Sequence, residues 1–290
     1  MSDLLKGLSF EVFPPNTTMG VNKLFETLQT LQQLQPEFIS VTCSNGTNNV
    51  ADTTVKVARY IHQELNISTI AHLPATYLSR QEVDEVLCQL DDLGIHQVLA
   101  LRGDILPQFT PKSDFQYASD LTSYIKEVAP QFELSGACYP EVHPESSSRL
   151  TDIKHLKKKV EAGCDQLISQ LFLDNDCFYK FQEACELADI DAPVIAGIMP
   201  IVNRNQALRL LKTTQTKLPR KFLAILEKYE HDPIALRDAG LAYAVDQIVD
   251  LVTQDVSGIH LYTMNDAKVA QHIVANTQSL FTRKTASFVS

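Results

Sequence analysis

The chain alternates between short apolar runs and longer stretches in which apolar residues recur at helical spacing. Eight runs stand out: Leu8–Phe13, Phe38–Cys43, Ser68–Leu73, Gln97–Gly103, Leu134–Tyr139, Gln166–Leu173, Pro193–Ile201 and Gly258–Thr263. Buried parallel strands read as continuous Val/Ile/Leu-rich runs, and parallel neighbours need crossover helices. The intervals supply them. Leu24, Leu28, Leu31 and Leu34 are spaced for one helix face before Pro36, and Ser79 with Glu82 forms a capping box that opens a helix toward Leu93, closed by Gly94. Pro36, Gly94, Gly163 and Gly258 each come shortly before a run, as in the bottom loops of βα units. The pattern predicts an α/β fold, a single (β/α)8 barrel spanning residues 1–290. The interval from Asn203 to Ser257 is longer than the rest. Its apolar periodicity (Leu208, Leu211, Leu223, Leu226, Leu236, Leu241, Val245, Ile248, Leu251) predicts extra helices between the seventh and eighth strands.

Chemistry in such barrels sits at the C-terminal strand ends. There the chain carries Glu11, Thr42, His72, Arg102, Asp104, Tyr139, Gln170 and Tyr262. Strand alternation puts Ser9, Glu11 and Phe13 on one face and Phe10 and Val12 on the other. If the latter pack on helices, Glu11 points into the barrel mouth, where desolvation would keep a carboxyl protonated and able to act as a general acid. The competing reading is an exposed Glu before the Pro14-Pro15 turn. Arg102-Gly103-Asp104 offers a fork of donors, close backbone approach and a negative charge; equally, it could be a structural ion pair capping the strand. Pro140 and Pro144 stiffen a loop that presents Tyr139 and His143. Lys157-Lys158-Lys159 could be a solvated helix face or, at the barrel top, a set of charges for a pyrophosphate.

Composition narrows the partners. The net charge of −10 argues against a general nucleic-acid footprint. No apolar run approaches the roughly 18 residues of a membrane helix, and the start of the chain, Met1 to Gly7, is too short and polar for a secretory signal. A soluble, cytoplasmic protein is expected. Cys43, Cys88, Cys138, Cys164, Cys177 and Cys185 show no zinc spacing, so they are expected to be small buried hydrophobes.

Taken in order, the segments Ser9–Pro15, Ser40-Val41-Thr42, Ala71-His72-Leu73, Ala100–Asp104, Tyr117–Leu121, Tyr139–Glu145, Gln170, Gly197–Pro200 and Tyr262–Asn265 resemble the bacterial, flavin-dependent methylenetetrahydrofolate reductases. The resemblance spans essentially the whole chain, and the strings Leu101–Asp104 and Tyr139–Glu145 are specific. It implies a barrel that holds FAD at the strand C-termini. It also implies hydride transfer from NADH or NADPH to FAD, and then to 5,10-methylenetetrahydrofolate, in a homo-oligomer with a small-molecule folate substrate. Glu11 would be the general acid and Asp104 the charge beside flavin and pterin. Thr42, Cys43, His72, Arg102, Gly103 and Asp104 would line FAD from the first half of the barrel. Tyr117, Ala118, Tyr139, His143 and Ser146 would do so from the second, with Asp152, His155, Lys158 and Lys159. Asp104, Gln170, Gln206 and Tyr262 would meet the substrate.

The chain departs from the family pattern at several places. Cys43-Ser44-Asn45 follows Thr42, and Leu73-Pro74-Ala75 follows His72. Leu210 stands where an aromatic residue can cover the ligand. Asp266 occupies a position often basic in the family, where it is expected to repel the folate tail. With the chain ending at Ser290, the regulatory second domain of eukaryotic members is not expected. Two other readings stand beside reduction: a folate- or flavin-binding paralogue without turnover, and a pterin-dependent barrel methyltransferase. Glu11 with Asp104 disfavours the first, and the FAD-like ring of residues disfavours the second.

Overall fold

The structure, a computed structural model, describes residues 7–15, 17–43, 50–105, 107–213 and 218–281. The N-terminal residues through Lys6, Ser44, Asn45 and Ser290 lie outside the described residues, as does the side chain of Leu211. Each apolar run contributes one strand: β1 (Gly7–Val12), β2 (Ile39–Val41), β3 (Thr69–Pro74), β4 (Gln97–Leu101), β5 (Glu133–Cys138), β6 (Gln166–Ser169), β7 (Val194–Ile198) and β8 (Gly258–Tyr262). All pair in parallel with their sequence neighbours, and β8 closes on β1 with Glu11 opposite Tyr262. The helices are α1 (Thr18–Gln32), α2 (Val50–Arg59, continued by a π-helical turn over Tyr60–Glu64), α3 (Arg80–Asp92), α4 (Ala118–Val128) and α5 (Arg149–Glu161). They continue as α6 (Asn175–Leu187), α7 (Arg204–Thr213), α8 (Arg220–Tyr229), α9 (Pro233–Thr253) and α10 (Ala267–Phe281).

Alternation along the strands builds two apolar layers. Outward residues such as Phe10, Val12, Ile39 and Val41 are fully buried against helix residues including Leu24, Leu28 and Leu31. Each such side chain contributes about 1.5–3 kcal/mol on burial. Inward residues Phe38, Ile70, Leu99, Ile168 and Ile195 fill the lower barrel. The Ser79 capping box forms as predicted, with Ser79 N–H donating to Glu82 at 2.6 Å, and Gly94 takes a φ of +75° after α3.

The predicted long interval is occupied by α7, α8 and α9, the last capped by Asp232 with Pro233 in its first turn. β6 and β7 stop three or four residues short of their apolar runs, at Ser169 and Ile198. Leu171, Leu173, Met199 and Ile201 leave the sheet and join a cluster at the barrel top with Leu210 and Phe222. Those residues are apolar because a helical cover lies over them. Among the cysteines, Cys138, Cys164 and Cys185 are buried, but Cys88 is exposed because it falls off the Val83, Val86, Leu87 and Leu90 stripe of α3. No helix among the described residues is long and apolar enough to cross a membrane.

Candidate active site

The barrel floor is polar above its apolar plug. Glu11, on β1, projects inward with its Oε2 3.6 Å from His72 Nε2 on β3 and 3.9 Å from His260 Nε2 on β8. Burial pushes the His72 imidazole down to about 4, against the opposing pull of Glu11. His72 Nε2 is buried and has no hydrogen-bond partner among the described residues. Below Glu11, Ser9 Oγ lies 2.8 Å from His260 Nδ1 and Ser40 Oγ 3.1 Å from its Nε2.

Tyr262 leans from β8 across β7 to β6, where its hydroxyl donates to Ser169 O at 2.7 Å. The crossing is possible because residue 197 is glycine: a Cβ there would lie 2.2 Å from Ser169 O and 2.7 Å from the Tyr262 ring. Ser169 Oγ accepts the Gly197 N–H, so the β6–β7 ladder opens at this level. The neighbouring Gln170 accepts the Leu171 N–H on its Oε1, which leaves its amide nitrogen as the group offered to a ligand.

The β4 and β5 ends form a rim. Gly103, at φ +90°, lets the chain turn against Pro74, and Thr76 Oγ1 donates to Arg102 O. The Arg102 fork grips Glu145 bidentately, at 2.6 and 2.7 Å, which lowers the Glu145 carboxyl and raises the guanidinium, and the nearby Asp104 charge adds to that rise. Asp104 stays exposed at the rim. Tyr139 and His143 meet edge to face at 4.5 Å. Burial, with Asp104 nearby, pushes Tyr139 up to about 12, and burial lowers His143. Between them Val142 holds a φ of +118°, a strained conformation for a β-branched residue. Asp152, in the first turn of α5, fixes this loop by accepting from His143 N–H and Ser146 Oγ.

The Lys run divides. Lys157 Nζ donates to Ala188 O and ties α5 to the end of α6, away from the cavity. Lys158 is exposed at the cavity wall, and Lys159 runs past Gly136 to donate to Ala137 O at 2.6 Å, its ammonium disfavoured by burial. A Cβ on Gly136 would lie 2.8 Å from the Lys159 stem, so this glycine opens the route. On the neighbouring part of the wall, Tyr117, Ala118 and Ser119 present the start of α4, fixed by Asp120 accepting the Gln116 and Tyr117 N–H groups.

These walls enclose one cavity of about 860 Å³ at the strand C-termini. It is lined by Glu11, Thr42, Cys43, His72, Arg102, Gly103, Asp104, Tyr117, Ala118, Tyr139, His143, Ser146, Asp152, His155, Lys158, Lys159, Gln170 and Tyr262. Over the chain, the family model for methylenetetrahydrofolate reductase matches residues 5–278. The chain belongs to that family. The 5,10-methylenetetrahydrofolate reductase of Pectobacterium carotovorum subsp. carotovorum is 33% identical over 266 residues, covering 92% of this chain and 88% of the relative. Methylenetetrahydrofolate reductase (NADH) 1 of Arabidopsis thaliana is 34% identical over 283 residues, with 92% of this chain matched to 48% of the plant protein. A Clostridium thermocellum protein whose structure is described as binding two copies of 5-methyl-5,6,7,8-tetrahydrofolic acid superposes with a TM-score of 0.62 at 14% identity, covering 96% of each chain. That likeness is one of fold.

Within the reductase family, three residues singled out in the sequence lie elsewhere than expected. Gln206 does not line the cavity; its Oε1 accepts the Val202 N–H at 2.9 Å and shapes the turn into α7. Leu210 is buried in the top apolar cluster, 3% exposed, rather than lying over the cavity. Asp266 caps α10, its Oδ1 accepting the N–H groups of Lys268 and Val269, while Met264 is the residue of that loop on the cavity wall. Alternation places Ser9 on the face of Glu11, and Ser40 and Glu145 fall within the matched segments, but none of them is given a role there, and His260 is not singled out. The period-2 register from Tyr262 does put His260 on the inward face, and that was the available signal.

Proposed function

We propose that the protein reduces 5,10-methylenetetrahydrofolate to 5-methyltetrahydrofolate, using NADH or NADPH and a bound FAD in a ping-pong sequence. Family membership supports the reaction, and the cavity supports the cofactor. The wall groups fit a flavin dinucleotide. His72 Nε2 is a buried polar atom lacking a partner among the described residues, Lys158, Lys159 and His155 gather positive or protonatable groups on one wall, and Thr42, Tyr117 and Ser146 add hydroxyls. When bound, the flavin would supply the ring that accepts and returns a hydride.

The protein supplies the rest. Arg102, Lys158 and Lys159 would hold the anionic part of the cofactor. Gln170 would donate its free amide N–H to the pterin or the nicotinamide. Glu11 would transfer its proton to the folate amine as the five-membered ring opens, and Asp104 would stabilise the cation left behind. Asp104 is suited to that task by its place on the cavity wall beside Arg102 and Tyr139. The observation that carries the reading is that Glu11, Asp104 and Gln170 share one cavity with the basic wall of α5.

The test is anaerobic stopped-flow on the purified protein. A flavin spectrum, bleaching by NADH or NADPH, and reoxidation by methylenetetrahydrofolate are expected. Glu11→Gln should keep reduction by the nicotinamide and slow the folate half-reaction by about 10²–10⁴-fold. A colourless protein, or equal damage to both half-reactions, rejects the assignment.

A further inference from the structure

We propose that Gln247 and Tyr243 of α9 are positioning residues for Gln170, holding the segment after β6 so that the Gln170 amide nitrogen faces the cavity. The proposal rests on Gln170 meeting the pterin or the nicotinamide. Gln247 is 6% exposed, whereas the other buried residues of α9 are aliphatic or glycine. A buried amide costs stability unless it is partnered. Its partner lies in the loop after β6, where Gln247 Nε2 donates to Phe172 O at 3.0 Å. Tyr243, one turn earlier, donates its hydroxyl to Leu173 O at 2.6 Å. Its ring is held edge-on by Phe222 at 5.3 Å and by Lys221, whose Nζ is 5.5 Å from the ring centre. Another turn back, Gly240 admits the loop after β7, since a Cβ there would lie 1.9 Å from Ile201 O. Gly240, Tyr243 and Gln247 fall at i, i+3 and i+7, on one face of the helix.

That face grips backbone which regular structure does not hold. β6 ends at Ser169 and α6 begins at Asn175, so the carbonyls between them need partners from elsewhere. α9 supplies two in succession, to Phe172 O and Leu173 O. The same segment sets Gln170. Its backbone N–H donates to Cys138 O at 2.7 Å, which fixes the residue at the strand end. Its side chain is steered by the Leu171 N–H, which donates to Oε1 at 2.9 Å. Leu171 adjoins the first carbonyl that α9 holds, so the linkage runs from Gln247 and Tyr243 through two carbonyls and one N–H to the Gln170 carboxamide. Asn175 secures the far end of the segment, its Nδ2 donating to Gln247 O at 3.1 Å and to Asp250 Oδ2 at 2.6 Å. Neither Tyr243 nor Gln247 is among the described residues that line the cavity, so they reach a ligand only through the segment that carries Gln170.

Two substitutions test the linkage in flavin-loaded enzyme. Gln247→Met keeps the volume and removes the donor, and Tyr243→Phe removes one hydroxyl and keeps the ring. Gln170→Ala sets the scale, by showing which of the two ligands, nicotinamide and folate, depend on that amide. We expect each α9 variant to raise the apparent Kd of those same ligands by about threefold to tenfold, the loss of roughly one hydrogen bond. The flavin Kd should stay within about twofold of wild type. On the Gln170→Ala background neither α9 substitution should weaken the ligands further. A parallel rise in the flavin Kd, or the same rise in ligand Kd on the Gln170→Ala background, would mark a purely structural role and overturn the proposal. If Gln170→Ala weakens ligand binding while both α9 variants are silent, the positioning role fails and the reading of Gln170 stands. If Gln170→Ala is itself silent, that reading fails and the proposal with it. Should Gln247→Met not fold, Tyr243→Phe carries the test alone, and unchanged ligand binding there overturns the proposal.

Discussion

Gly197 is where a single carbon would disturb the site. A Cβ there would overlap Ser169 O and the Tyr262 ring, so Gly197→Ala should destabilise the protein by about 1–3 kcal/mol through overpacking. Urea titration would read this, and a midpoint equal to wild type would show that Tyr262 crosses elsewhere. His72 makes a pH prediction. Its folded value of about 4 lies below the ordinary 6.5 because burial disfavours the imidazolium. The unfolded chain therefore takes up this proton first. The stability is complete above about pH 6.5 and is lost as pH falls toward 4. The slope approaches about 1.4 kcal/mol per pH unit, and His72→Asn should flatten it. Denaturation midpoints across that window decide the matter; an unchanged slope would mean that His72 is hydrated in the folded state. Glu11 was legible because strand alternation turns it inward, and His72 because it stands near the end of an apolar run. His260 obeys the same alternation, but it is embedded in Gly258–Tyr262 and was read as part of an apolar run. Its serine partners are 220 or more residues away in sequence, a separation no local pattern reports.

At the scale of elements, the loop from β8 to α10 changes the reading of the mouth. Thr263 Oγ1 donates to Glu11 O, and the Asn265 carboxamide pairs with both backbone groups of Phe13, so this loop secures the end of β1. Met264 and Asn265 both take positive φ to do so, at +52° and +56°. Asp266 then follows as a helix cap. Charge alone suggested that a basic residue here would tighten folate binding. The geometry predicts otherwise: Asp266→Lys should cost about 0.5–2 kcal/mol of stability, the usual loss for a cap, and leave the folate KM and its salt dependence unchanged. Asp266→Asn should keep most of the stability. A severalfold, salt-sensitive fall in KM for Asp266→Lys would restore the charge argument. The capping role was hidden because Asp at a helix start and Asp at a binding mouth look alike in a sequence. Elsewhere elements were plain. The Ser79–Glu82 box and the long apolar interval before β8 identified their helices directly, since capping and helical spacing are local properties. The ends of β6 and β7 were not, because Leu171 and Ile201 are apolar for a different reason, the helical cover above them.

For the whole molecule, the division between an apolar lower barrel and a polar upper cavity would make the proposed flavin part of the folding equilibrium. The plug of Phe38, Ile70, Leu99, Ile168 and Ile195 closes the bottom without any ligand, while the top leaves His72 Nε2 unpartnered among the described residues and the Lys159 ammonium disfavoured by burial. A ligand that binds only the folded state stabilises it by about 2.7 kcal/mol at 100 times its Kd. For a chain of this size that corresponds to a rise in Tm of roughly 5–10 °C. Removing flavin should therefore lower Tm by that order, and adding it back should restore it. Lys159 tests where the coupling arises. Its stem packs along Gly136, and its Nζ bonds Ala137 O, so it has a structural part as well as a charge. Lys159→Met keeps the stem and removes the ammonium. The apo protein should then melt close to wild type, because burial already disfavours that charge, while the increment added by flavin should shrink and its Kd rise about tenfold or more, the loss of a charge-assisted contact of roughly 1.5–3 kcal/mol. The opposite pattern, a lower apo Tm with the flavin increment intact, would make Lys159 a brace between α5 and β5 and assign the pyrophosphate to Lys158 and Arg102 instead.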